Sequence, residues 1–253
     1  MEFKNPANVI KKIFHHSVLN TIIPGTLTVS CYANFYPICY MKNNQVEGLD
    51  IDIMKEFAKA CKLKIKFIIK RNFKDIWFDP VRNISDVAVG GIGISSTRTR
   101  ADTEWTIPYF YVKRTIIYNK SDPIVNFPKD VSRTIVGTKG STGWLDGIQK
   151  LGSKNKFLKE GKNDEQDIRD LLDGKIQGIM RGSFVGNSIL KKYPQLDMVT
   201  PWDAVPEVNT SKKEVFAYPC NVRSRIGILL SVLITEEIMN SDLLHLVQKY
   251  DLV

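Results

Sequence analysis

Asp86-Val87-Ala88-Val89-Gly90-Gly91-Ile92-Gly93-Ile94-Ser95-Ser96-Thr97-Arg98 joins a short apolar run to a glycine-rich turn and an arginine. The run from Asp86 to Val89 reads as a buried strand that breaks at Gly90-Gly91. Glycines in such a turn let a ligand approach backbone N–H groups closely, and Arg98 offers a planar fork suited to a carboxylate. Taken alone, the same pattern also describes a solvated arginine after an ordinary turn.

Upstream, residues 7 to 22 place Val9, Ile10, Phe14, Val18, Leu19 and Ile22 near helical spacing, and Pro24-Gly25 stop that helix before the alternating strand Thr26-Leu27-Thr28-Val29. Asp50 is placed to cap a helix whose apolar face uses Ile53, Met54, Phe57, Ala58 and Cys61, and a strand from Leu63 to Ile69 follows. Strands alternating with helices over the first hundred or so residues predict a parallel α/β sheet. Downstream the plan recurs, with strands at Arg114–Tyr118 and Thr134–Gly137. Gly140-Ser141-Thr142-Gly143 then opens a helix with Leu145, Ile148 and Leu151 on its apolar face. Next come Phe157-Leu158, a helix from Asp164 to Leu172, a strand from Ile176 to Met180 and a helix from Phe184 to Lys192. The chain ends in a strand from Glu214 to Tyr218 and helices at Ile226–Met239 and Asp242–Tyr250.

The chain has 253 residues, 43% hydrophobic and 25% charged, which excludes disorder, collagen and coiled coil. Its net charge of +9 raises nucleic acid, an anionic membrane or an anionic ligand as partners. The lysines are spread along the whole chain without an RNP motif or zinc finger, so no nucleic-acid partner is expected. No run of 18 apolar residues exists, so no transmembrane segment is expected. Residues 1 to 16 lack an unbroken apolar core and a small-residue cleavage site and do not read as a signal peptide.

Four cysteines, Cys31, Cys39, Cys61 and Cys220, follow no metal spacing; Cys31 and Cys39 are near enough in sequence to bridge a hairpin, which spacing leaves open. His15 and His16 fall in the N-terminal helix and His245 in the last one, where a surface role is the plain reading. No GxSxG or HExxH motif occurs, so catalytic residues are expected to be absent. Asp102 and Glu104 read as partners of Arg100 or as solvated side chains. The Gly140-Ser141-Thr142-Gly143 turn favours an anion at a helix start, but it matches neither a P-loop nor a dinucleotide fingerprint, so no cofactor and no metal site are expected.

In their order and spacing, several stretches resemble the type II periplasmic solute-binding proteins, in the branch that binds polar amino acids for ABC importers. They are Gly25-Thr26-Leu27-Thr28-Val29, Gly48-Leu49-Asp50-Ile51-Asp52-Ile53, Gly91 to Arg98 with Ile107-Pro108-Tyr109, Gly140-Ser141-Thr142, and Leu172-Asp173-Gly174-Lys175-Ile176. The resemblance implies an α/β fold of two lobes with two hinge crossovers, closing over a ligand in the cleft between them. On that pattern, residues 1–18 form a helical extension, 19–111 and 215–253 form lobe 1, and 112–214 form lobe 2. Arg98 falls where the family's arginine grips the ligand's α-carboxylate, with Gly91 and Gly93 at neighbouring contacts. The family usually has Ser or Thr at the position of Gly93, so one hydroxyl is lost. Thr142 and Ser141 match a turn that reaches the same carboxylate, Phe35 and Phe73 match aromatic positions around the ligand side chain, and Thr138 matches a pocket-lining position.

One departure bears on the ligand. The family holds the ligand's ammonium with an Asp whose position here is Gly182, within Gly178-Ile179-Met180-Arg181-Gly182-Ser183. A buried ammonium without its carboxylate loses on the order of 3 kcal/mol. A standard α-amino acid is therefore not expected. Arg181 is expected to face the ligand instead and, with Arg98, to suit two anionic groups. The leading function is thus a monomeric, non-enzymatic binder of a small carboxylate-bearing solute, amino-acid-like or a dicarboxylate or keto acid, that serves an ABC permease. The first alternative is a repurposed or degenerate binder acting as a sensor or a secreted host-directed protein. The second is a cyclohexadienyl or arogenate dehydratase-like enzyme, which needs an acid that Gly143 and Trp144 do not supply. The resemblance implies a periplasmic location, and without a recognisable leader the cytoplasm or another secretion route stays open.

Overall fold

The computed structural model describes residues 19–200, 214–239, 241–250 and 252. His15, His16 and the expected N-terminal helix lie outside the described residues, except for that helix's last positions, 19–22, which are not helical. Ile22 instead gives its N–H to the Asp86 carboxylate at 2.8 Å.

Along the chain come β1 (Thr26–Cys31), β2 (Asn34–Phe35), β3 (Cys39–Lys42), β4 (Gln45–Glu47), α1 (Leu49–Ala60), β5 (Lys64–Ile69), β6 (Val87–Val89) and β7 (Thr103–Trp105). They continue with β8 (Phe110–Val112), β9 (Arg114–Asn119), β10 (Ile135–Gly137), α2 (Thr142–Leu151), β11 (Leu158–Glu160), α3 (Asp164–Leu172), β12 (Gly178–Gly182), α4 (Ser183–Lys192) and β13 (Leu196–Val199). Last are β14 (Glu214–Phe216), β15 (Pro219–Asn221), α5 (Ile226–Met239) and α6 (Asp242–Lys249). The chain divides into two compact units, Met1–Phe110 with Val215–Val253, and Tyr111–Glu214.

The first unit is built on a sheet in the order β5-β1-β6-β15-β7, with a small antiparallel sheet β2-β3-β4. β1 pairs in parallel with β5 and β6, whereas β15 runs antiparallel to β6 and β7. The expected parallel sheet is therefore mixed, because the chain's second visit to this unit adds a strand of opposite sense beside β6. β1 is buried along nearly its whole length, as a central strand covered on both faces must be.

The second unit carries a sheet in the order β11-β10-β12-β9-β13. β10 is parallel to its neighbours β11 and β12, and β9 is antiparallel to β12 and β13. Ile116, Tyr118, Ile124, Phe127, Val131, Ile135, Leu151, Leu158 and Met180 form its core. Of the face expected of it, α2 buries Leu151 alone. Leu145 and Ile148 are exposed, and Thr142, Gly147 and Leu151 are the buried residues. A side chain at Gly147 would meet the Met180 methyl at 2.6 Å, so α2 lies directly on β12 through its glycine.

Candidate functional site

In the first unit, β6 ends at the Gly90–Arg98 turn, which closes in a short helical turn over Ser96–Arg98. Arg98 is only 1% exposed. One guanidinium nitrogen donates to the Gly93 carbonyl at 2.9 Å, and the guanidinium carbon lies 4.4 Å from the Trp77 ring centre and 5.5 Å from that of Phe73. Contact with aromatic faces offsets part of what burying a cation costs, and it fixes the plane of the fork. Phe73 stands edge-on to both Tyr32 and Trp77, so the arginine rests on a continuous aromatic wall. The Trp77 indole N–H is buried and has no acceptor among the described residues.

Gly91 has φ +65, and a Cβ there would sit 2.4 Å from the Phe35 ring. Only glycine meets both conditions. The Phe35 ring lies over Gly91 and edge-on to Phe216. Gly91 does not hold its N–H ready for a ligand, as the sequence suggested. That N–H donates to Asp50 Oδ2 at 3.0 Å, next to the Gly90 N–H at 2.7 Å.

Asp50 is also not the helix cap expected of it: α1 starts at Leu49 behind Gly48, and Asp50 is fully buried. Its other oxygen accepts from the Tyr109 hydroxyl at 2.5 Å and the Tyr218 hydroxyl at 3.0 Å, while the two rings stack 4.4 Å apart. Burial raises the Asp50 carboxyl above the usual carboxylate range, and the hydrogen bonds from Tyr109, Gly91, Gly90 and Tyr218 work against it. The carboxylate holds the glycine turn in shape from beneath. Sequence reasoning quoted both Asp50 and Tyr109 within matching stretches but missed this role. Asp102 is solvent-exposed, as expected, whereas Glu104 is half-buried. Asp102 pairs with Arg223 at 3.7 Å, and the Glu104 carboxylate lies against Gly227 at the start of α5, where burial raises its carboxyl above the usual carboxylate range.

In the second unit, Thr138 follows β10 and its carbonyl accepts the Ser141 N–H at 3.0 Å. Ser141 caps α2, its hydroxyl oxygen accepting from the Trp144 N–H at 3.0 Å. Thr142 is buried at the first helical position. Thr138, Ser141 and Thr142 therefore surround one helix start, where backbone N–H groups and the helix dipole favour an anion.

Arg181 does not join them as a ligand-facing cation. Its Nε donates to Asp164 at 2.8 Å, one Nη donates to the Met180 carbonyl at 2.9 Å, and the other Nη donates to Asp167 at 3.0 Å. Burial works against its charge, yet the two carboxylates outweigh burial and its pKa is raised. The expectation fails because α3 carries Asp164 and Asp167 to β12, and they neutralise the arginine. At Gly182, a Cβ would lie 2.6 Å from Val112 and 3.0 Å from Phe184, so those side chains fill the space that a side chain there would need.

The sequence pattern of the bacterial extracellular solute-binding proteins, family 3, matches residues 27–213. The chain belongs to that family. A relative described as a probable histidine-binding protein of Neisseria gonorrhoeae is 27% identical over 190 residues, which is 73% of this chain and 70% of that protein. The arginine-, lysine-, histidine-binding protein ArtJ from Geobacillus stearothermophilus superimposes with a TM-score of 0.74 at 19% identity, over 89% of this chain and 94% of that one. AncCDT-1, an ancestral amino acid-binding protein and precursor of cyclohexadienyl dehydratase, gives a TM-score of 0.75 at 18% identity, over 96% and 99% of the two chains. Likeness at these identities is one of fold, and the fold is that of the type II periplasmic binding proteins. Among the described residues, no helix is long and apolar enough to cross a membrane.

Proposed function

We propose that this family 3 protein captures a small solute bearing one carboxylate and an uncharged, partly apolar remainder, such as a keto acid, for an ABC permease. The observation that carries this reading is Arg98, buried at the end of the glycine turn with its guanidinium carbon over the Trp77 ring. A guanidinium placed in this way recognises a planar anion in preference to a neutral group. The aromatic wall of Tyr32, Phe73 and Trp77, and the Phe35 ring over Gly91, suit the rest of the solute, and the Ser141–Thr142 helix start is a second, uncharged anion-favouring element.

Two features argue against the ligands that relatives' names mention and against a dicarboxylate. Gly182 supplies no carboxylate for an ammonium, which costs an amino acid on the order of 3 kcal/mol, and Arg181 is already neutralised. Thermal-shift measurements across keto acids, amino acids and dicarboxylates test the order of preference. Arg98→Ala is expected to abolish the shift given by the preferred ligand. A ligand whose stabilisation survives that change would overturn the carboxylate reading.

The filled Gly182 position also favours a second reading, in which the fold serves as a sensor or a host-directed protein; a flat response to every solute class would support it. The dehydratase reading has less behind it, because the Ser141-Thr142-Gly143-Trp144 turn contains no carboxylic acid. Incubation with prephenate and arogenate, watching for aromatic product, tests it.

A further inference from the structure

Asp86 leads into β6 and the Gly90–Arg98 turn leaves its other end, so the two ends of one short strand have different surroundings. At the Asp86 end, the first unit holds a recess of about 290 Å3. Residues from 20–22, 80–86 and 221–224 wall it, with Asp102, and none of them belongs to the Arg98 turn. The walls are tied to one another and to themselves. The Asn20 N–H donates to the Ser224 carbonyl at 3.3 Å and its side-chain amide to the Arg223 carbonyl at 3.2 Å. The Asn83 N–H closes a turn on the Pro80 carbonyl at 3.2 Å, and Asn221 Oδ1 accepts the Arg223 N–H at 3.0 Å. Walls held in this way lower the cost of ordering the site around a ligand.

Ser85 lines the recess and is fully buried, and its hydroxyl has no partner among the described residues. A buried hydroxyl left unpaired costs stability, so it calls for a partner that this chain does not supply. No hydrogen bond fixes its χ1, so the hydroxyl can turn to meet a ligand in the recess. Asn83, in the left-handed region at φ +55, also keeps its side-chain amide without a partner among the described residues. The charges of the recess are already engaged. Asp86 accepts from the Ile22 and Thr28 N–H groups and from the Thr28 hydroxyl. Asp102 and Arg223 are exposed and 3.7 Å apart, close enough to offset each other's charge and too far for a hydrogen bond that would occupy their donors and acceptors.

We propose that this recess binds a small neutral polyol, whose hydroxyls each donate and accept. The Ser85 hydroxyl and the Asn83 amide do both, Asp102 accepts and Arg223 donates, so adjacent hydroxyls of one ligand find partners of both kinds. Ile22, Pro80 and Val81 offer C–H surface to the ligand's carbon frame. A charged ligand would find its counter-charge already engaged. The volume is at the lower end of the range for small-molecule sites, about 300–1,000 Å3, which suits a ligand the size of a pentose or an inositol. The recess shares no residue with the carboxylate reading, so either can fail alone.

The test is to titrate 15N-labelled, full-length protein with myo-inositol, D-ribose and glycerol, and with acetate, ethylamine and glycine as charged probes, following the backbone amide shifts. At least one polyol is expected to give saturable shifts at residues 83–86 and 221–224, and the charged probes none there. Shifts that stay linear for every polyol, as solvent effects do, would overturn the site. Saturation there by a charged probe would overturn the ligand class. Ser85→Ala is expected to weaken polyol binding about tenfold while the free variant melts no lower than wild type, because the change removes an unpartnered hydroxyl. Undiminished affinity, or a lowered melting point, would overturn the role of Ser85. Asn83→Ala alters an exposed side chain and is expected to weaken binding with melting unchanged; full affinity in that variant would overturn the polyol contact at Asn83.

Discussion

Arg98 and Arg181 are both arginines withdrawn from water, and their neighbours give them opposite uses. Arg98 lies on the faces of Trp77 and Phe73 and gives one donor to the Gly93 carbonyl, a setting with the right shape for a planar anion. Arg181 is bound between Asp164 and Asp167 and ties α3 to β12. Removing one partner of a buried ion pair leaves a charge that the protein cannot solvate. Asp167→Asn is therefore expected to destabilise the second unit by about 3 kcal/mol, read from the urea midpoint. Cys61 allows a pH test. Burial pushes its thiol from 9.0 up to about 12, so in the folded protein its thiolate is roughly a thousandfold scarcer than in the unfolded chain at the same neutral pH. The raised value means the folded state holds this proton more tightly. Its contribution to stability is complete below pH 9 and is lost as pH rises towards 12. Alkylation of native Cys61 is expected to stay slow at pH 9 and to become fast on unfolding; rapid native alkylation would contradict the burial.

At the level of elements, the β12–α4 junction shows why a missing carboxylate is not simply a missing side chain. Val112 and Phe184 occupy the space a Cβ at Gly182 would need. Gly182→Ala is expected to cost about 1–3 kcal/mol through overpacking, measured by chemical denaturation. By the same argument, Gly182→Asp without repacking Val112 is expected to lose stability and gain no amino-acid affinity. β12 also begins at Gly178, two residues later than the apolar run at Ile176 suggested. The buried Gln177 amide explains the delay, since its oxygen accepts the Ser132 and Arg133 N–H groups and serves a neighbouring turn. Helices α3 and α5 fall where the sequence placed them, and in the structure the Asn163 side chain caps α3 by accepting the Gln166 N–H. The buried face of α2 was not legible, because it packs through a glycine.

For the whole molecule, the second unit is one continuous stretch with its own core, while the first is made from two separate stretches of chain. Residues 111–214 are expected to fold alone and to melt cooperatively by circular dichroism. A non-cooperative melt would show that this core depends on the rest of the chain. Strand and helix periodicity, the glycine turn before Arg98 and the ordered series of matching stretches were all written in the sequence, and they carried the fold and the family. Those signals are local, or recur in fixed order, so a linear reading finds them. The tertiary structure settled which charges remain available and which small residues are obligatory. Asp50 grips an amide from 40 positions away, Arg181 has its charge compensated by carboxylates 17 and 14 positions upstream, and Gly182 is enclosed by Val112 from a distant strand. Charge compensation and steric clearance depend on neighbours in space, and linear spacing does not encode which neighbours those will be.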